Sequence, residues 1–366
     1  MDLASDKHIK KIKCKLDDDE PRNGMESLQP DIALDIFSRL PITSLLQFSS
    51  VNRSWQMLQY DPNLASLHFS RTAKNNPCLI FHCDYPIRNQ LFFVELSDEM
   101  DNEIVRRIQT PFCDTMPEFN VIASCNGLLC LSDSLYSDPL YIYNPFTRKH
   151  RELPKSRQFD DQEVVFGFGF HPVTNEYKRA SEALVCGRLH WLAQLRICRG
   201  TRIHRDVAIV SFDLADEQFR EVPRPECGNL IMANYQLTVL GGCLSAVACH
   251  LYDRYEIWVM EEYSVKESWL KKYNIKDCIR QFMKPEFQRP YGIWKNVLNQ
   301  RIARVLCIFE NGNILMEYRG GVLVSHNPNS GTYKKLMFEG MPDLFQTVVH
   351  VGSLNWIGKP IHSSTN

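Results

Sequence analysis

Four stretches of this chain share one pattern: alternating apolar residues run into a glycine-bearing tight turn and alternate out again. In VLCIFENGNILMEY (305–318), Val305, Cys307 and Phe309 lead into Asn311-Gly312, a two-residue hairpin signal, and Ile314, Met316 and Tyr318 lead away. The pattern recurs in VIASCNGLLCLSD (121–133), EALVCGRLHWLA (182–193) and LTVLGGCLSAVACH (237–250). Each is followed by a further strand and a turn rich in Asn, Asp or Pro: LYIYNPFTRKHRELP, IVSFDLADEQFREVP, EIWVMEEYSVKESW and GVLVSHNPNSGTYKKL. Recurrence at an irregular interval of roughly 55–70 residues, with several strands per unit, is the mark of propeller blades. A single large β-sandwich is the alternative.

The beginning of the chain obeys a different period. LDIFSRLPITSLLQFSSVNRSWQML (34–58) is apolar at helical spacing, yet Pro41 and two cap-like positions cut it into pieces of two or three turns. Ser27 can cap a first helix with Pro30 in its opening turn, and Ile32, Ile36 and Leu40 then form one stripe with Phe37 beside it. Thr43 can cap a second helix carrying Leu45, Leu46 and Phe48. Asn52 can cap a third that aligns Val51, Trp55 and Leu58. Helices this short are marginal alone, and the apolar surface exceeds what the three can bury on each other. It is expected to seek a partner outside the chain rather than the β domain.

Composition narrows the function. Lys and Arg number 42 against 43 Asp and Glu, so no global field invites nucleic acid or an acidic membrane. No run is long enough to span a bilayer, and the charged opening residues carry no export signal. The 13 cysteines are scattered without a C-x-x-C pair, which suggests buried thiols and a cytoplasmic and/or nuclear setting. Lys10, Lys11, Lys13 and Lys15 precede Asp17–Glu20, as in a solvated tail. No nucleophile elbow, phosphate loop or zinc-helix motif is present. FGFGFHP (166–172) opens no helix and suits strand packing; His190 reads as a structural histidine, and Glu261-Glu262 as a solvated turn. The Asn52-Arg53-Ser54 sequon lies in a helix and reads as chance. Catalytic residues, metal ligands and cofactors are therefore not expected. Tyr85, Tyr136, Arg196, Arg202 and Tyr252–Tyr255 are the candidate exposed contact groups.

LQPDIALDIFSRLPITSLLQFSSVNRSWQML (28–58) resembles an F-box, the helical module that docks on a Skp-family adaptor in SCF ubiquitin ligases. The match runs through Leu28, Asp31, Ile36, Arg39-Leu40-Pro41, Ser44-Leu45-Leu46, Phe48, Val51, Trp55 and Leu58, with Asp61-Pro62 beyond. It departs in one place: proline stands at Pro30, one position late. SCNGLLCL, YNPFTRKHRELP, FGFGFHPVTNEYK, GRLHWLA, LGGCLS, EIWVMEEYSVKESW and NGNIL are similar, in that order, to the F-box-associated, kelch-like region of plant F-box proteins.

The resemblance implies an α+β chain in separate domains. A charged, disordered tail (1–25) precedes a three-helix F-box (26–70), a mainly antiparallel, propeller-like, kelch-type β domain (75–358) and a short disordered tail (359–366). It implies adaptor contacts from Leu28, Pro30, Ile32, Ile36, Leu40, Pro41, Leu45, Leu46, Val51 and Trp55. Through the adaptor the chain would meet cullin and RING subunits, and its β domain would recruit an unknown protein substrate for ubiquitination, with no nucleic-acid or membrane partner. A kelch-type propeller acting outside a ligase, as binding module or enzyme, is the alternative. Only eight residues separate Lys178 from Gly187, where another repeat would supply two strands and a charged turn. One blade is thus expected to be truncated.

Overall fold

The computed structural model describes residues 29–49, 57, 60–72, 77–85, 89–96, 103–112, 116–133, 140–153, 169–171, 176–178, 183–199, 202–227, 235–250, 254–276, 303–318 and 321–356. Among these, three helices precede a propeller with five four-stranded antiparallel blades and one two-stranded sheet.

The helices are α1 (Pro30–Phe37), α2 (Ile42–Ser49) and α3 (Pro62–Thr72). Pro30 sits in the first turn of α1, where its missing N–H removes no bond. The N-cap is Gln29, whose carbonyl accepts from Ile32 and Ala33 N–H, and it makes no side-chain cap bond. Ser27 lies outside the described residues, as does the third expected helix apart from Met57. Pro62 opens α3, and the Asp61 carboxylate accepts from the Asn63 N–H at 2.7 Å.

The first blade combines β1 (Cys78–Tyr85), β2 (Gln90–Glu95) and β3 (Arg106–Ile108) with the last described strand, β22 (Leu344–His350), which pairs antiparallel with β1. The second holds β4 (Phe119–Cys125), β5 (Leu128–Asp133), β6 (Leu140–Tyr143) and β7 (His150–Glu152). A two-stranded sheet follows: β8 (Gly169–His171) and β9 (Glu176–Lys178). The third blade is β10 (Ala183–Val185), β11 (Arg188–Arg199), β12 (Arg202–Asp213) and β13 (Phe219–Val222). The fourth is β14 (Tyr235–Leu240), β15 (Cys243–His250), β16 (Arg254–Met260) and β17 (Trp269–Lys276). The fifth is β18 (Ala303–Ile308), β19 (Ile314–Tyr318), β20 (Val322–Asn327) and β21 (Thr332–Leu336). Among the described residues this sheet has two strands where each blade has four.

The repeated turn has a backbone cause. Asn126-Gly127, Cys186-Gly187 and Gly241-Gly242 each join two strands with φ positive at both central residues, the hand that matches strand twist. NGN departs from the expected two-residue turn. The Phe309 carbonyl accepts from Gly312 N–H, Phe309 N–H donates to Asn313, and Gly312 has φ +81, a three-residue loop. A bulge between Val305 and Cys307 absorbs the shift. All five residues of β19 are buried rather than alternating, because a strand flanked by two blades has no solvent face.

Apolar clusters join the third blade to the fourth, the fourth to the fifth, and the fifth to the first. Polar clasps reinforce them. Gln236 bonds both backbone groups of Val305, and Trp269 Nε1–H donates to the Pro223 carbonyl at 2.8 Å. Asn144 is fully buried. Its carbonyl oxygen accepts from Phe146 and Thr147 N–H, and its amide donates to the Ser353 and Asn355 carbonyls, pinning the segment after β22 to the second blade. Gly127 allows that approach, since a Cβ there would fall 1.9 Å from Ser353 Oγ. Asn144→Ala would orphan all four groups and is expected to cost about 3 kcal/mol, read as a lowered denaturant midpoint at unchanged slope.

Two buried histidines make the fold acid-sensitive. His190 Nδ1 lies 3.1 Å from the Ala183 carbonyl and its Nε2 2.7 Å from Tyr263 Oη, bridging the third and fourth blades. Burial lowers its pKa to about 4. His350, 2.9 Å from Ser124 Oγ through Nδ1 and stacked on Phe146, is lowered by burial to about 3. Both stay neutral in the folded state while the unfolded chain takes up protons below about pH 6.5. Stability therefore falls as pH drops below that value, by about 1.4 kcal/mol per pH unit for each histidine until its folded pKa is reached. Melting scans from pH 7 to 5 should show a falling midpoint, and His350→Gln should flatten the decline.

Candidate interaction surfaces

The helical face divides into an inward and an outward half. Phe37, Ile42, Leu45, Leu64 and Ala65 are buried in one cluster with Ile80, Leu91, Phe93, Phe112, Tyr143 and Leu354 of the first two blades and the chain's end. Much of the apolar surface expected to seek an outside partner therefore packs on the propeller. The sequence pattern fixed which residues needed burial but not against what. Gly352 permits the contact, since a Cβ there would meet Ile42 Cγ2 at 2.6 Å. Thr43, expected as a cap, instead donates from Oγ1 to Glu95 Oε2 on β2 at 2.6 Å.

The helices are also tied to each other. The Asp35 carboxylate pairs with Arg39 at 3.1 Å and Arg71 at 2.7 Å, and these partners hold its pKa below the usual carboxylate range. Arg71 also donates to the Asp35 carbonyl and the Ser38 hydroxyl. His68, fully buried, places Nε2 3.0 Å from the Leu40 carbonyl, which closes the turn before Pro41.

Of the expected adaptor contacts, Ile32 is 47% exposed and Pro41 is exposed, while Ile36, Leu40 and Leu46 are half-buried. Leu45 lies in the shared core, so it supports the surface from beneath. Pro30 is placed on α1; Leu28, Val51 and Trp55 lie outside the described residues. Met57 (68% exposed) and Tyr60, with the Lys149 ammonium 4.7 Å from its ring centre, extend the outward half. Ile32, Pro41 and Met57 are apolar groups at the surface of a rigidly held three-helix unit, which suits a protein interface rather than chemistry.

The propeller offers a second surface on the third blade. One face, with His190, Leu192, Ile209 and Val222, is buried against the fourth blade. By register, Leu189, Trp191, Val210, Phe212 and Phe219 share the other. Leu189 is buried, but Trp191, Val210 and Phe212 are only half-buried and Phe219 is exposed. Among the described residues this face is less buried than the one packed on the fourth blade. Tyr255, expected as an exposed contact group, is buried between the fourth and fifth blades. Arg196 and Arg202 fall on the β11–β12 hairpin, while Tyr136 and Tyr252 lie outside the described residues. Among the described residues no group of three or more His, Cys, Asp or Glu could hold a metal, and no helix is long and apolar enough to cross a membrane. Lys272 pairs with Glu261 at 3.0 Å on the exposed turn where the paired glutamates were expected.

Residues 26–67 match a family model described as F-box-like, and residues 78–186 one described as F-box associated beta propeller domain. The chain is 42% identical over 422 residues to F-box protein At3g07870 of Arabidopsis thaliana, covering 98% of this chain and 99% of that protein. F-box protein CPR1 of Arabidopsis thaliana is 24% identical, with 90% of this chain and 89% of that protein aligned. F-box/kelch-repeat protein At3g23880 of the same plant is 23% identical, with 82% and 87% aligned. The 422 aligned positions of the first comparison exceed the 366 residues of this chain, so that relative carries sequence absent here.

Proposed function

We propose, from the premise that this chain belongs to the F-box proteins, that it is the substrate-recognition subunit of an SCF-type ubiquitin ligase. The α1–α2 surface around Ile32, Ile36, Leu40 and Pro41 would dock a Skp-family adaptor, with Val51 and Trp55 contributing from beyond the described residues. Cullin and RING subunits would follow through the adaptor, and the propeller would hold a protein target. The observation that carries the reading is an F-box-like segment, with Ile32 exposed on α1 and Pro41 exposed just after it, seated in the same core as a propeller.

The mechanism is proximity. Holding a target beside a charged ubiquitin-conjugating enzyme raises its effective concentration and converts encounter into an intramolecular event. In this reading no side chain of the chain does covalent chemistry. Co-expression with a Skp-family adaptor tests the proposal. A stoichiometric complex that also captures cullin is expected; a chain that elutes alone at micromolar concentration would overturn it. The setting in which this would occur is the cytoplasm, the nucleus or both, and tagged full-length protein imaged in plant cells would decide.

A further inference from the structure

The turn between β6 and β7 recurs in two other blades with a different charge at its tip. Asn144 N–H donates to the Lys149 carbonyl and Arg148 N–H to the Asn144 carbonyl, each at 2.9 Å. Asp213 makes the same two bonds with Gln218 and Glu217 in the third blade, and the Asn327 carbonyl accepts from Gly331 N–H in the fifth. The fifth residue of each turn is exposed and has positive φ: +60 at Arg148, +57 at Glu217 and +70 at Gly331. Glycine takes this conformation at no steric cost and an L side chain does not. Folding therefore asks for no side chain at this position, and its charge is free to serve something else.

The second-blade turn is the one seated against the helices. Phe146 lies in the cluster that buries Phe37, Ile42 and Leu45. A Cβ on Gly352 would meet Ile42 Cγ2 at 2.6 Å and Phe146 Cε2 at 3.2 Å, so the turn stands beside the residue that follows the exposed Pro41. On its other side the Lys149 ammonium sits 4.7 Å from the centre of the Tyr60 ring, and Tyr60 N–H donates to the Met57 carbonyl. Arg148 falls between these two contacts. Among the described residues neither Arg148 nor Lys149 has a carboxylate partner. The neighbouring carboxylates are engaged: Asp61 accepts from Asn63 N–H, Glu95 from the Thr43 hydroxyl, and Glu152 from the Tyr141 hydroxyl at 3.4 Å.

The geometry points to a second contact for the adaptor, on the propeller itself: we propose that Arg148 and Lys149 receive an acidic surface of the same adaptor that docks on α1 and α2. The inference rests on the receptor reading and enlarges its interface. The turn is continuous with the exposed apolar groups Pro41, Met57 and Tyr60, and it adds a cationic rim beside them, the usual place of charge at a protein interface. Its two backbone bonds and the Asn144 carboxamide hold the loop in shape before any partner arrives, so little ordering is left to be done on binding. A rim charge acts chiefly on the rate of encounter and on its salt dependence.

Labelled adaptor titrated with full-length chain, followed by anisotropy from about 50 to 300 mM salt, tests the proposal. Arg148→Gly should weaken binding about three- to fivefold at low salt and flatten the salt dependence. Its melt should stay within a degree or two of wild type, because glycine accepts the positive φ while loosening the unfolded chain. Arg148→Glu should weaken binding about tenfold or more, mainly through a slower association rate. Arg148→Lys should retain most of the affinity, and a carbodiimide should join the amine it introduces to an Asp or Glu of the adaptor. Unchanged affinity and salt dependence in Arg148→Glu, with the adaptor still bound, would overturn the inference and leave the receptor reading standing. A cross-link only to carboxylates of this chain would overturn it as well. Failure of the wild-type chain to bind the adaptor would overturn both.

Discussion

Ile32→Glu is expected to remove adaptor binding while leaving the fold intact. Ile32 is about half exposed on α1 and does not belong to the apolar cluster that joins the helices to the propeller. A buried charge in place of an apolar anchor at a helix–helix interface costs at least what truncating a hot spot does, about 2–4 kcal/mol, or one to three orders of magnitude in affinity. Recovery of the adaptor in a pull-down should fall to background, with the thermal melt of the isolated chain within a degree or two of wild type. Leu45→Ala provides the contrast. Leu45 is buried beneath the surface, so its truncation should lower the melt first and adaptor binding only as a consequence. Undiminished recovery with Ile32→Glu would exclude α1 from the interface.

Glu317→Ala should come close to unfolding the propeller. Glu317 is fully buried on β19 and pairs with Arg304, itself largely buried, on β18. Its other oxygen accepts from the Thr347 N–H at 2.7 Å, and Arg304 donates to the Thr347 carbonyl at the same distance. The pair therefore ties the fifth blade to β22, where the circle of blades closes. Removing one partner strands a guanidinium with little access to water, at about 3–5 kcal/mol, a large share of the roughly 5–15 kcal/mol that holds a domain together. Chemical denaturation should show the loss directly. The double variant Arg304→Met/Glu317→Leu should recover much of it, because it removes both charges. A cycle in which the double variant is no better than Glu317→Ala would show that the bonds to Thr347, not the ion pair, carry the closure.

Blade turns were legible in the sequence because they are local. Asn126-Gly127 and Gly241-Gly242 need positive φ at two successive residues, and few residue pairs supply it. The first helix was legible for the same reason, through Pro30 and the stripe after it. What stayed hidden is non-local. Nothing near Cys78–Tyr85 announces that its inner neighbour is Leu344–His350, more than 250 residues later. α3 carries too little apolar pattern along PNLASLHFSRT to signal that Leu64 and His68 are buried. The burial of Phe37, Ile42 and Leu45 against the propeller was missed because an amphipathic face records that it needs cover, not who provides it. The exposed aromatic face of the third blade was hidden too.

The shared core also sets an order of events during synthesis. The helices emerge from the ribosome before the propeller, yet the cluster that buries Phe37, Ile42 and Leu45 includes Leu354, and Val348 packs against it. At about 5–20 residues per second, roughly 15–60 s pass between the translation of these two ends. For that interval the helices lack part of their lid and the first blade lacks the strand that pairs with β1. The stretch around Leu344–Leu354 is thus the latch for helices made long before it, and a nascent chain stalled before residue 344 should expose apolar helical surface to chaperones that the folded molecule hides.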